Sequence, residues 1–178
     1  MATTNGETKS TTSGATSGSG LEHELDAPPW LRVESTLMAT ANAIRAAYDD
    51  RLSGLGLTLS LASLLSYVAD FGPVNQTRAA EHLGQGRAVT GTQIDRLESL
   101  GYVERRPDPA DRRVWLVAIT SGGTALAASI ADVDRVLRAE LRAGISRADR
   151  QNLAATLVRL QHNLHRSNNQ SDMQGAPS

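Results

Sequence analysis

The chain has 178 residues, 40% of them hydrophobic, 21% charged and only 3% aromatic, which suits one globular unit of ordinary size with a mostly aliphatic core. It contains no cysteine, so disulfides, thiolate metal sites, cysteine nucleophiles and sensing by thiol oxidation are excluded. A formal net charge of -1 weighs against nucleic-acid binding as a global statistic, and any such role has to rest on local charge.

Residues 1–20 are mostly Thr, Ser, Gly, Ala and Asn and cannot bury enough surface to offset ordering entropy; 1–27 are expected to be a disordered tail. From Trp30 to Leu52, after a start at Pro28 and Pro29, the residues Leu37, Ala41, Ile44, Tyr48 and Leu52 recur in steps of four and three, predicting a long amphipathic helix. Thr58 is a natural N-cap for a second helix carrying Leu61, Leu64, Leu65 and Val68, stopped by Gly72 and Pro73. Asn75 can cap a short third helix ending at Gly84.

A fourth helix, 87–100, places Ile94, Leu97 and Gly101 on one face and leaves short hydrogen-bonding side chains on the other. Together the third and fourth helices have the length and glycine-containing turn of a helix-turn-helix. Beyond Gly101, two β-prone runs flank the charged turn Pro107 to Arg113, predicting a hairpin with Arg105, Arg106, Arg112 and Arg113 crowded on it. Thr120 is a candidate N-cap for a long helix with Leu126, Ile130, Val133, Leu137, Leu141 and Ile145 in phase. A last helix from about Ser146 to Arg166 carries Leu153, Leu157, Leu160 and Leu164, and 167–178 form a polar tail expected to be disordered.

In this order the elements resemble the MarR family of bacterial transcriptional regulators. The sharpest match is Asp108-Pro-Ala-Asp111-Arg112-Arg113 followed by a short strand and Thr120, similar to the family's DPxDRR wing; Leu97-Glu98-Ser-Leu-Gly101-Tyr-Val103-Glu-Arg105 is similar to its RLExxGLVxR junction. The resemblance covers about Trp30 to Arg166. It implies a mainly α fold with a small β wing (α+β): a winged helix-turn-helix over 57–120 with its wing at 102–119, and dimerisation helices at 28–56 and 121–166. It further implies a homodimeric regulator, usually a repressor, that binds a palindromic double-stranded DNA operator and responds to a small molecule. Helix 87–100 would enter the major groove and Arg113 the minor groove, with Asp111 orienting Arg113 through a charge-assisted hydrogen bond.

The expected DNA contacts are Arg87, Thr90 and Thr92 to bases and Thr77 and Arg96 to phosphate, with Arg112 and Arg113 on the wing. The phase of Thr90 also fits a core position, and Arg96 also fits an intrahelical ion pair with Asp95 or Glu98. By the family's pattern a ligand pocket would be lined by Trp30, Met38, Tyr67 and residues of the Leu126 helix, side chains that equally suit core packing. An aromatic or phenolic compound fits a mostly apolar pocket with one or two polar anchors.

The histidines His162 and His165 share a helix face without a neighbouring carboxylate or cysteine, so no metal site is expected. Neither a nucleophile elbow nor a glycine-rich phosphate loop occurs, and no catalytic residue or cofactor is expected. The absence of a long apolar run or a basic leader points to a cytoplasmic protein without a membrane partner. A competing reading from another class is a winged-helix dimer that binds proteins and has lost sequence-specific DNA binding.

Overall fold

Caps and glycine turns set where each element begins and ends. The computed structural model describes Pro28 and residues 32–174, with side-chain surroundings as far as Arg166. The chain divides into two units, residues 1–47 and 48–178. The first contains the start of helix α1 (Val33–Ser53), where Val33, Leu37 and Met38 are exposed. Trp30, expected at the start of this helix, lies outside the described residues.

In the second unit, helix α2 (Leu59–Phe71) starts where the Thr58 hydroxyl accepts the Leu61 N–H, with the Asp49 carboxylate accepting the Leu59 N–H at 2.6 Å. A two-residue strand β1 (Val74–Asn75) leads into α3 (Gln76–Leu83), whose N-cap Asn75 accepts the Arg78 N–H at 2.8 Å. Helix α3 ends on Gly84, a left-handed residue at φ 59°. Helix α4 (Arg87–Ser99) follows and stops at Gly101, where φ is 77° and the Tyr102 N–H reaches back to the Leu97 carbonyl.

Strands β2 (Val103–Pro107) and β3 (Trp115–Ile119) form the hairpin. The sheet is antiparallel with order β1-β3-β2; Val74 pairs with Val117, and Val103, Arg105 and Pro107 pair with Ile119, Val117 and Trp115. The strand β1 escaped the sequence reading because two residues show no alternation. Helix α5 (Ser121–Leu141) begins at Thr120, whose hydroxyl accepts the Gly123 N–H and donates to the Gly101 carbonyl, tying it to the end of α4.

Two boundaries differ from expectation. Ile145 does not extend α5: Leu141 is the last helical residue, Gly144 turns the chain at φ 74°, and Ile145 is exposed. Helix α6 (Arg147–Gln174) begins beside a reciprocal pair between Ser146 and Asp149 and runs past Arg166, because no glycine or proline interrupts the sequence before Gly175.

The core gathers Leu64, Leu65 and Val68 of α2, Ala79 of α3, Ile94 and Leu97 of α4, Val103 and Val117 of the hairpin and Ile130 of α5. Burying each leucine or isoleucine contributes about 2 kcal/mol, and these residues hold α4 and the hairpin on one support. No described helix is long and apolar enough to cross a membrane.

Candidate nucleic-acid interface and ligand cleft

The two helices of the helix-turn-helix meet at Gln76 and Gly91. The Gln76 amide donates to the Arg87 carbonyl at 2.8 Å, and a Cβ on Gly91 would stand 2.8 Å from that amide nitrogen. Gly91 is therefore a close-approach residue between α3 and α4. Its partner is on another helix, so spacing along α4 could not reveal this role.

Thr90 requires a correction: it is 0% exposed, and its hydroxyl donates to the Gly86 carbonyl, so it offers no surface to a base. It shares the core phase of Ile94 and Leu97, and burial prevails there. Thr92 is exposed, with its hydroxyl on the Ala88 carbonyl at 3.2 Å. Arg87 has nearly the phase of Ile94, yet its place in the first turn leaves it exposed; Arg96 is exposed one turn beyond Thr92, and Thr77 is half-buried on α3.

The arginines of the hairpin separate into two groups. Arg105 pairs with both Asp95 and Glu98 of α4, while its N–H donates to Glu98 at 3.0 Å, clamping strand β2 to the helix. Burial opposes the charge most, but the hydrogen bonds and charges of the two carboxylates outweigh it and raise the guanidinium's pKa. These contacts also take up the carboxylates that could have held Arg96. Arg106 is paired with Glu104.

At the tip, the Asp108 carboxylate accepts the Ala110 N–H and the Asp111 carboxylate accepts the Arg113 N–H at 3.0 Å. The charge-assisted bond from Asp111 thus fixes the Arg113 backbone rather than its guanidinium. Both acids serve the turn, and among the described residues the exposed guanidinium groups of Arg112 and Arg113 have no hydrogen-bond or ion-pair partner. The geometry gives α4 an exposed polar face beside a rigid hairpin with two free cations at its tip.

A separate cleft of about 440 Å³ lies between the end of α1, α2 and α5. Its walls include Leu52, Leu59, Ala62, Ile130 and Val133, with Ser63, Ser66 and Asp70 as further polar groups. At one side the Tyr48 hydroxyl donates to Asp134 at 2.8 Å, and Arg138 holds the same carboxylate at 3.0 Å. Burial, then the hydrogen bond to Asp134, raises the Tyr48 pKa, keeping the hydroxyl a neutral donor.

Tyr67 does not line this cleft; it is buried in the core and stacked on His82 at a ring distance of 4.0 Å, with Phe71 beside them. Met38 is 68% exposed. Sequence reasoning missed Tyr48, Asp134 and Arg138 as a group because they come from two distant helices, although the four-residue step from Asp134 to Arg138 was visible. Among the described residues no cluster of three or more histidine and carboxylate groups could hold a metal.

Residues 55–114, from the turn before α2 to the wing tip, match the family model described as the MarR family. Among solved structures, the transcriptional regulator PA3341 is 28% identical, with a TM-score of 0.67 over 75% of this chain and 98% of its own. CouR from Rhodococcus jostii RHA1, bound to p-coumaroyl-CoA, is 25% identical with a TM-score of 0.66, covering 70% of this chain and 88% of that one. MepR of S. aureus in complex with DNA shares the fold at 16% identity, with a TM-score of 0.70 over 74% of this chain and 97% of that one. The helix-turn-helix, the Arg105 clamp and the two-arginine wing tip lie within the matched segment, so the part of the chain from 55 to 114 is similar to the MarR family and the rest shares the fold of its solved members.

Proposed function

We propose that this chain is a transcriptional regulator of the MarR type, a repressor that binds a palindromic operator as a homodimer and releases it when a small molecule enters the cleft beside Tyr48. In this reading α4 lies in the major groove, Thr92 and Arg87 face bases, Arg96 and Thr77 face phosphates, and Arg113 enters the minor groove with Arg112 beside it. The observation that carries it is the free pair Arg112 and Arg113 on a tip whose acidic residues are bound to backbone N–H groups. A narrow minor groove has the negative potential that attracts such a guanidinium.

CouR with p-coumaroyl-CoA and MepR with DNA are relatives for which both kinds of partner are named. For this chain, the cleft favours an aromatic or phenolic effector that donates or accepts a hydrogen bond over a carboxylic acid. Arg138 is already held by Asp134, and Asp70 adds a second carboxylate.

The test is selection of bound fragments from genomic DNA, followed by fluorescence anisotropy on the enriched duplex. Arg113→Ala is expected to weaken binding about tenfold and to lower the slope of log K against log salt by about 1 for each phosphate-region charge lost. An unchanged titration removes the minor-groove role, and no enrichment at low salt favours the protein-binding reading.

A further inference from the structure

We propose that Trp115, with Pro107 opposite it, forms an apolar shelf that packs on a deoxyribose of the DNA strand running between the groove held by α4 and the groove entered by the wing tip. The strand register carries the argument. Val103, Arg105 and Pro107 stand opposite Ile119, Val117 and Trp115, and side chains two apart on a strand share a face. On that face Val103 and Val117 are buried and Arg105 is tied to Asp95 and Glu98, so this is the side of the hairpin turned toward α4.

Pro107 and Trp115 continue the same face to its outer end, where both are exposed; the indole is 56% exposed. A large aromatic side chain left open on a short hairpin, with the exposed guanidinium groups of Arg112 and Arg113 just before it, suits an apolar partner that comes with negative charge. The sugar face of a nucleic-acid backbone is such a partner: it packs against the ring while its phosphates meet the guanidinium groups. The sugar is the same in every nucleotide, so the shelf adds affinity and fixes the angle of the hairpin without choosing sequence.

This inference rests on the DNA-binding reading, and the experiment separates the two. Trp30 and Trp115 are the two tryptophans, so a Trp30→Phe chain reports Trp115 alone. Titration with a labelled mixed-sequence duplex at low salt is read by label anisotropy and indole emission together. The expected result is a change in Trp115 emission that saturates with the anisotropy, and loss of the DNA-dependent signal in Trp115→Phe with Trp30 retained. Trp115→Ala should weaken binding about tenfold for all sequences alike with an unchanged salt slope, whereas Trp115→Tyr should restore it. Rising anisotropy with constant emission, or full affinity in Trp115→Ala, overturns the shelf and leaves DNA binding standing. No anisotropy change with any duplex overturns both.

Discussion

At Gly123 a Cβ would fall 2.0 Å from the Tyr102 carbonyl oxygen and 2.7 Å from Ile119 Cγ1, so helix α5 can begin against the hairpin only if this residue has no side chain. One of the obstructing atoms belongs to the backbone, and relief requires the hairpin to move. Gly123→Ala is therefore expected to destabilise the fold by about 1–3 kcal/mol, read as a lower midpoint in urea with an unchanged slope. The neighbouring cap at Thr120 was legible in the sequence because capping is a local rule. Gly123 was visible only as a letter after that cap, and the reason for it lies in Tyr102. Thr90 shows the same limit from the other side: helical phase allowed both a core and a surface role, and only the packing around Ile94 and Leu97 decides for the core.

The wing and helix α4 act as one element because of Arg105. Its two ion pairs and the backbone bond to Glu98 cross from strand to helix, so they set the angle between the two proposed DNA-contacting parts. Partial exposure limits the energy of such contacts. A double-mutant cycle of Arg105→Gln with Glu98→Gln is expected to give a coupling of about 1 kcal/mol in thermal or urea unfolding. A coupling near zero would mean that the sheet register alone holds the wing. The order of the helices and the presence of a hairpin could be read from periodicity and turn residues. The division of the hairpin arginines could not, since Arg105 is silenced by carboxylates on another element while Arg106 is held by a residue on its own strand.

For the whole molecule, several described apolar residues of α1 and α6 are left exposed. Val33 and Met38 on the first, and Leu153, Val158 and Leu164 on the second, are exposed, and no described α6 side chain is buried. Long helices owe most of their stability to a packed apolar face, which is the argument for the proposed homodimer. Leu153→Asp combined with Leu164→Asp should convert a dimeric mass in light scattering to a monomeric one and weaken operator binding, because two linked half-sites become independent. A dimeric mass in this variant would place the subunit contact elsewhere.

In the proposed DNA-binding role, the internal pairing of Arg105 and Arg106 also bears on how the molecule searches a chromosome. Each phosphate contact forgone on bulk DNA shortens the time spent loosely bound there, and a chain of net charge -1 has little long-range attraction to replace it. Short, unproductive visits leave more of the population free in solution. Occupancy of a target site then follows the copy number of the protein more than the distance scanned in each encounter.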